Sequence, residues 1–292
     1  MSGHFEGGVC VVTGGASGIG RAVGEALARA GAVVVLADRD SERLAAARES
    51  LVEHAGRVEC ATVDVMRQQE VQHLIEEAAS RHGRLDFLFN NAGVGGTLPI
   101  GEATLEQWRR IVDLNLWGVI YGIHAALPIM RRQGGGHLVN TASVAGLVPF
   151  PYQSLYCTTK FGIVGLSEAL RYELAADGIR VSVVCPGNVA TRIFETSLMG
   201  DPVAGRAPDD SITADEAART ILDAVAAGKG SSPSPRARNT FGTSTAQPPS
   251  RSPNTCWTWR INAGPPTRRT TPRRCSAHAG SETAEQRRYG DG

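Results

Sequence analysis

A tyrosine and a lysine four positions apart are the residues of this 292-residue chain with the clearest potential for chemistry. Tyr156 and Lys160 form a Tyr-x-x-x-Lys motif, and Ser143 precedes the tyrosine by thirteen residues. A phenol has a pKa of about 10 and is a poor acid or base near neutral pH unless its charged form is stabilised. An ammonium about 5 Å away contributes on the order of 3 kcal/mol at an effective dielectric near 20. The spacing therefore indicates a proton-transfer site in which Lys160 lowers the pKa of Tyr156.

A glycine-rich turn far upstream supplies a candidate nucleotide site. It follows a predicted strand, Val9 to Thr13, and precedes a predicted helix, Ile19 to Ala30. Glycines let the chain turn tightly and approach phosphates, whose negative charge the amides of a helix N-terminus can bind. A plain connection between strand and helix is the alternative. The residues assigned to the nucleotide are Gly14, Ser17, Gly18, Ile19 and Gly20.

Asp38 bears on the type of nucleotide. It ends the second predicted strand, where an acid can accept hydrogen bonds from the adenosine ribose of a dinucleotide. Its carboxylate would repel a 2′-phosphate, so NAD is expected and NADP is less favoured. The adjacent Arg39 works in the other direction, because a guanidinium can attract that phosphate. A solvated or helix-capping role before Ser41 is the alternative for Asp38.

Together these motifs resemble the classical short-chain dehydrogenase/reductase family, whose glycine spacing is Thr-Gly-x-x-x-Gly-x-Gly. The resemblance implies interconversion of a secondary alcohol and a ketone by hydride transfer with NAD(P). Tyr156 would be the general acid/base, Lys160 would also bind the nicotinamide ribose, and Ser143 would orient the substrate. Asn115 would be the catalytic asparagine that holds a water next to Lys160, with a satisfied polar core residue as the alternative.

The same resemblance implies further cofactor contacts. Asp64 and Val65 would meet the adenine, although an ordinary helix cap is the alternative for Asp64. Asn91, in an Asn-Asn-Ala-Gly stretch, would lie next to the cofactor. Val189 and Thr191, in a match to Pro-Gly-x-x-x-Thr, would bond the nicotinamide carboxamide.

Apolar runs alternate along the chain with segments of helical periodicity, and this pattern predicts the strands and helices that position these residues. They favour one α/β domain over residues 1–229, a doubly wound, Rossmann-like parallel sheet. Two long helices are expected, Leu105 to Arg131 and Leu155 to Asp177, and Thr213 with Glu216 predicts a capping box for a helix to about Ala227. The predicted strands are Val9 to Thr13, Ala32 to Ala37, Arg57 to Val63, Leu85 to Asn90, Gly136 to Ala142 and Arg180 to Cys185.

Residues 230–292 differ from this domain in composition. They contain ten arginines against three acidic residues, eight prolines and Ile261 alone from the set Val, Ile, Leu and Met. Such a segment cannot bury enough apolar surface to offset the entropy of ordering, so a disordered tail is expected. The tail then carries a formal charge of +7, which leaves −6 for the domain.

A frame-shifted reading of a GC-rich gene is one explanation for the tail. If suitable codons encode the Ser-Ser-Pro-Ser-Pro run that begins at Ser231, a shift of one base yields Ile-Ile-Pro-Val-Pro, a plausible buried strand. Resequencing the gene tests this hypothesis. An unshifted frame through residue 292, with the same tail in close relatives, would contradict it.

The rest of the composition bears on partners and location. The six cysteines are scattered along the chain, which favours reduced thiols in the cytosol. Export and membrane insertion are not expected, because we find neither a leader segment nor a run of about 18 apolar residues. The seven histidines show no metal-ligand spacing and are expected in ordinary solvated roles. Apolar residues in the segment 192–211 hint at an apolar alcohol or ketone as substrate.

Two expectations concern larger partners. The resemblance implies a homo-oligomer, a dimer or tetramer built through the two long helices. The acidic domain argues against nucleic acid. The rival interpretation is a catalytically weak, cofactor-binding protein whose basic tail contacts nucleic acid or an acidic partner.

Overall fold

The computed structural model describes residues 3–51, 57–201 and 203–228, together with the main chain of Ser231–Pro233. Strands and helices alternate along the chain. The strands are β1 Val9–Thr13, β2 Val33–Asp38, β3 Val58–Thr62, β4 Phe87–Asn90, β5 Gly136–Thr141, β6 Ile179–Cys185 and β7 Ser231–Pro233. The α-helices are α1 Gly18–Arg29, α2 Ser41–Glu49, α3 Gln68–His82, α4 Leu105–Val112, α5 Gly118–Arg132, α6 Ser154–Glu173 and α7 Ala214–Ala226.

All the strands are parallel and lie in the order β3-β2-β1-β4-β5-β6-β7. Val11 at the centre of β1 pairs with Val35 on one side and Leu88 on the other. The order reverses direction between β1 and β4, and ligands of such sheets bind at this point, beyond the carboxyl ends of the strands. The predicted doubly wound α/β fold is confirmed.

Helices cover both faces of the sheet, which explains why its strands are continuous apolar runs. All five residues of β1 are buried, and so are six of the seven in β6. Helices α1, α2 and α7 pack on one face, around Leu27, Leu36 and Leu222. Helices α3, α5 and α6 pack on the other, around Ile75, Leu88 and Ile163.

The predicted long helices differ from the structure in detail. The first is one helical stretch, Leu105–Arg132, in which a π-helical turn, Asp113–Trp117, joins α4 to α5. Its length and its mean hydropathy of 1.2 would suit a membrane span, but its apolar residues pack against α3 and the sheet. The second ends at Glu173 and continues as a separate turn, Ala175–Asp177.

The capping box predicted before α7 is present. The amide of Glu216 donates to Oγ1 of Thr213 at 3.2 Å, and the amide of Thr213 donates to Oε2 of Glu216 at 2.8 Å. These two bonds satisfy amides that the first turn of a helix leaves without a partner, so they fix where α7 begins.

Ser231–Pro233 lie at the start of the segment for which a disordered tail is expected. These residues form β7, in register with Val183–Cys185 of β6. Pairing of strands uses main-chain groups, so a polar sequence does not prevent it. Residues 234–292 lie outside the described part of the chain, where the expected disorder and the frame-shift hypothesis remain predictions.

His137 corrects the expectation that the histidines are solvated. It lies in β5 with 1% of its surface exposed, and its Nε2 is 2.9 Å from Oγ of Ser182. Burial lowers its pKa to about 3, with smaller contributions from Arg180 and His4. Within the described ranges, no group of three or more His, Cys, Asp and Glu side chains could hold a metal ion.

Candidate active site

The glycine turn forms an open cradle at the carboxyl end of β1. Gly14 and Gly18 have φ angles of +67° and +52°, a conformation that favours glycine. A Cβ at Gly20 would collide with the carbonyl oxygen of Gly14 and the side chain of Asn91. Ser17 precedes α1 without capping it by its side chain, so the first amides of this helix stay available. This arrangement fits the diphosphate of a dinucleotide.

Asp38 connects this turn to the end of β2. Its Oδ2 accepts a hydrogen bond from the amide of Ala16 at 3.2 Å, and its Oδ1 accepts one from the amide of Asp40 at 3.1 Å. Asp40, rather than Asp38, caps α2, through a bond from the amide of Arg43. Asp38 therefore lies beside the glycine turn, as the nucleotide prediction requires.

Thr13 and Asn91 join the ends of β1 and β4. Oγ1 of Thr13 accepts hydrogen bonds from the amides of Asn91 at 3.0 Å and Ala92 at 3.2 Å. Nδ2 of Asn91 donates to the carbonyl oxygen of Thr13 at 3.1 Å. These bonds join the ends of the two paired strands at the switch point of the sheet.

Asp64, predicted to contact the adenine, and Thr191, predicted to contact the nicotinamide, lie at opposite ends of this crevice. Oδ1 of Asp64 accepts from the amide of Met66 at 3.0 Å, while the residue that precedes α3 is Arg67, so Asp64 is not the N-cap of that helix. At the other end, a Cβ on Gly18 would lie 3.1 Å from Cγ2 of Thr191. Thr191 thus contacts the glycine turn directly.

Ser143, Tyr156 and Lys160 converge beyond the end of β5. Ser143 is 9% exposed, and its Oγ accepts a hydrogen bond from the amide of Ala145 at 3.1 Å. Nζ of Lys160 donates to the carbonyl oxygen of Thr141 at 2.9 Å and lies 5.5 Å from the centre of the Tyr156 ring. A proton donor, its orienting hydroxyl and a cation therefore share one small region.

Burial dominates the electrostatics of this region. It raises the pKa of Tyr156 to about 12, although a hydrogen bond with Ser143 works in the lowering direction. Burial also lowers the pKa of Lys160 to about 8. The predicted lowering of the Tyr156 pKa by Lys160 is not found, because desolvation of the phenolate is the largest contribution to the pKa of this residue. Tyr156 is consequently a neutral phenol, the form that can donate a proton.

Asn115 is fully buried in the π-helical turn. Its Oδ1 accepts from the amide of Val94 and its Nδ2 donates to the carbonyl oxygen of Val94, both at 2.9 Å. A Cβ on Gly93 would lie 3.1 Å from this Oδ1 and 3.6 Å from Nζ of Lys160. The side chain is thus the satisfied core group of the alternative interpretation, and it also positions the loop beside Lys160.

Sequence reasoning missed three residues of this region. Thr141 contributes a main-chain oxygen to Lys160, and no residue type signals such a contact. Cys185 is buried at the end of β6, where burial raises the pKa of its thiol to about 12 and Lys160 opposes that shift. Gln153 lines the same cavity, and its position one helical turn before Tyr156 could have signalled it.

One cavity of about 880 Å³ brings most of the predicted residues together. Gly20 and Asn115 do not line it and instead support the residues that do. The crevice can take an extended nucleotide along the strand ends and a small carbonyl or hydroxyl compound beside Tyr156. The predicted residues that line it are Gly14, Ser17, Gly18, Ile19, Asp38, Arg39, Asp64, Val65, Asn91, Ser143, Tyr156, Lys160, Val189 and Thr191.

Comparisons with known proteins agree with this arrangement. The family model for short chain dehydrogenases matches residues 8–200. Levodione reductase of Leifsonia aquatica is 39% identical over 198 residues, which cover 67% of this chain and 74% of the relative. 3beta-hydroxysteroid dehydrogenase 2 of Eggerthella lenta is 37% identical over 191 residues, covering 65% and 74%.

A solved structure is similar over a longer part of the chain. It is a crystal structure of a short chain dehydrogenase/reductase from Burkholderia phymatum in complex with NAD. It is 31% identical with a TM-score of 0.75, and the match covers 81% of this chain and 92% of that one.

Proposed function

The chain belongs to the short-chain dehydrogenase/reductase family of oxidoreductases, and from that premise we propose that it interconverts a secondary alcohol and a ketone with NAD(H). The observation that carries the proposal is the convergence of Ser143, Tyr156 and Lys160 in one cavity with the glycine turn. Proton transfer to oxygen and a nucleotide site are the two functions that carbonyl reduction requires of the protein.

In the proposed mechanism Tyr156 is the general acid for reduction. A phenol with a pKa near 12 holds its proton at neutral pH and can donate it to the substrate oxygen as negative charge develops there. The Ser143 hydroxyl can also donate to that oxygen and so orient the substrate. Oxidation of an alcohol requires the opposite transfer, from the substrate hydroxyl to a phenolate.

Lys160 and Asn115 support this transfer. The Lys160 ammonium, about 5.5 Å from the ring, stabilises a phenolate that forms on Tyr156. Asn115 bonds both polar main-chain atoms of Val94, which fixes the loop that lies beside Lys160. A water held at Asn115 would extend proton exchange from Lys160 to solvent, and this remains part of the proposal.

A nicotinamide dinucleotide bound in the crevice would supply or accept the hydride. The glycine turn and the first amides of α1 would hold its diphosphate, Asp38 its adenosine ribose, and Val189 and Thr191 its carboxamide. Asp64, Val65 and Asn91 would line the adenine side and the middle of the groove. We propose NAD rather than NADP, because the Asp38 carboxylate repels a 2′-phosphate, and the NAD complex of the related structure supports this choice.

The proposed substrate is a small apolar ketone or alcohol. Apolar side chains surround the position beside Tyr156, among them Val94, Leu98 and Leu198. Levodione reductase is named for a dione and 3beta-hydroxysteroid dehydrogenase 2 for a hydroxysteroid, which supports a ketone or alcohol substrate and, in the second case, a cyclic one.

We also propose that the protein is a homo-oligomer and that it is cytosolic. Exposed aromatic residues on the two long helices, Trp117 at 43% and Phe161 at 41%, support a homo-oligomer through these helices. Light scattering of the purified chain tests this directly. The four cysteines within the described ranges are free thiols, which supports a cytosolic location.

The experiment that tests the function is a turnover assay of the purified full chain. A panel of cyclic ketones with NADH, and of the matching alcohols with NAD, should give a change in absorbance, with NADPH and NADP in parallel. Tyr156→Phe is the matched control that removes only the hydroxyl. Absence of turnover on every compound, together with steeply salt-sensitive, tail-dependent binding of DNA, would instead favour the weak enzyme with a basic tail.

A further inference from the structure

Gln153 is a polar residue that lines the cavity near Tyr156. It immediately precedes α6, three residues before Tyr156, and lines the same cavity. Its side chain has no hydrogen-bond partner within the parts of the chain that the structure describes. Three other polar side chains of the cavity lining already make hydrogen bonds: Oε1 of Gln107 accepts from the amide of Thr104, Oγ1 of Thr196 donates to the carbonyl oxygen of Arg192, and Oγ of Ser197 accepts from the amide of Asp201.

The main chain around Gln153 is held firmly. Its amide donates to the carbonyl oxygen of Phe150 at 3.3 Å, and its carbonyl oxygen accepts from the amide of Cys157 at 2.7 Å. The preceding residue, Tyr152, has a φ of 63°, and its carbonyl oxygen accepts from the amide of Leu98 at 2.8 Å. A bulky residue adopts such a conformation only where its surroundings enforce it. These main-chain contacts therefore fix the position of the Gln153 Cβ atom relative to Tyr156.

Part of the cavity wall at Tyr156 is apolar. The Tyr156 ring packs against a cluster that includes Val94, Leu98 and Leu198. Phe150 and Val144 line the cavity as well. In an apolar binding site, a few polar groups at fixed positions determine which ligand binds and in which orientation. Gln153 has the location of such a group.

We propose that Gln153 binds a second oxygen of the substrate, so that the preferred substrate is a compact ketone or alcohol with another carbonyl or hydroxyl group. A glutamine amide can donate to a carbonyl and accept from a hydroxyl. Gln153 is the N-cap of α6 and Tyr156 lies in the first turn of that helix, so their side chains begin within about one helical turn of each other. The second oxygen thus lies a few carbons from the reacting carbon, across a small ring. This inference rests on the proposed function.

The test compares kcat/KM for four matched ketones: cyclohexanone, 4-methylcyclohexanone, 1,4-cyclohexanedione and 4-hydroxycyclohexanone. The methyl compound controls for size. The wild-type chain should prefer the two dioxygenated ketones over the methyl compound by about five- to tenfold, as one hydrogen bond allows. Gln153→Leu should lower both ratios to about one.

Gln153→Glu provides the second variant, since a carboxylate accepts hydrogen bonds but cannot donate them. It should lose the preference for the dione and keep the preference for the hydroxyketone, an outcome that a general loss of structure would not produce. Thr97→Val is the control, because Thr97 is an exposed residue at the rim of the same cavity, and the ratios should not change.

Two results would overturn the inference while leaving the proposed function intact. One is turnover of all four ketones without a preference for the second oxygen. The other is a preference that persists in Gln153→Leu or disappears in Thr97→Val. If none of the ketones is turned over with either nucleotide, the proposed function is wrong, and this inference is wrong with it.

Discussion

Lys160 donates a hydrogen bond from Nζ to the carbonyl oxygen of Thr141 at 2.9 Å, and this contact ties α6 to the end of β5. Ser143 follows Thr141 by two residues, while Tyr156 precedes Lys160 by one helical turn. This bond thus helps to fix the position of the proposed acid relative to the hydroxyl that orients its substrate.

Removal of the Tyr156 hydroxyl tests the proposed acid. Tyr156→Phe keeps the ring that packs against the Leu198 cluster, so the fold and nucleotide binding should survive. Ketone reduction should fall by at least about a hundredfold, the usual contribution of a positioned acid. Steady-state kinetics and a nucleotide titration by fluorescence measure the two effects. Unchanged turnover would exclude Tyr156 as the proton donor.

The dependence of reduction on pH should reveal Lys160. Its pKa is lowered to about 8 by burial, so the ammonium loses its proton above that pH and stops stabilising negative charge on Tyr156. Tyr156, with a pKa near 12, remains neutral throughout this range and cannot produce the same change. We expect kcat/KM for ketone reduction to decline above pH 8. Residual activity of Lys160→Met should lack that decline, and a flat wild-type profile between pH 7 and 9.5 would contradict the assignment.

Cofactor preference should depend on Asp38. Asp38→Asn removes the charge and keeps an oxygen that can accept from the amide of Ala16. Loss of the repulsion should reduce the preference for NADH over NADPH by about ten- to a hundredfold, as expected for like charges a few ångströms apart. The ratio of kcat/KM values measures it.

Arg39→Ala is the companion variant, since Arg39 lines the same cavity. It should move the ratio towards NADH if the guanidinium attracts a 2′-phosphate. An unaltered ratio in Asp38→Asn would remove the physical argument for NAD.

Stability in acid should depend on His137. Its pKa of about 3 in the folded chain is below the value of about 6.5 in an unfolded one, so the unfolded state binds more protons between these values. The stabilisation is complete above pH 6.5 and declines as the pH falls towards 3, by on the order of 1 kcal/mol per pH unit. Urea unfolding at pH 7.5, 6 and 4.5 measures the trend.

His137→Gln is the matched variant, because its amide can still bond Ser182 but does not titrate. As the pH falls, the free energy of unfolding of the wild type should decrease relative to that of the variant. Parallel curves for the two proteins would show that His137 does not contribute.

Much of the fold followed from local patterns. Val9 to Thr13 was predicted as a strand with the bounds that β1 has, because four apolar residues and a threonine precede a glycine turn and need cover on both faces. Thr213 and Glu216 likewise fixed the start of α7, since a capping box is a contact between residues three apart. Such features depend on neighbours in sequence, which the sequence specifies directly.

Contacts between distant segments were not accessible in this way. The bond from Lys160 to Thr141 uses a main-chain oxygen, and every residue has one, so no residue type identifies it. Strand β7 also depends on main-chain pairing with β6, and its polar residues gave no signal. The burial of His137 follows from the way β5 sits within the sheet.

The amino-acid sequence by itself determined which groups could take part in chemistry: the glycine turn, Asp38, Ser143, Tyr156 and Lys160. The tertiary structure decided their protonation, because burial depends on how helices close over the sheet, and it raised the pKa of Tyr156 while lowering that of Lys160. It also decided that Gln153 lines the cavity, since this depends on the loop whose Tyr152 carbonyl oxygen accepts from the amide of Leu98.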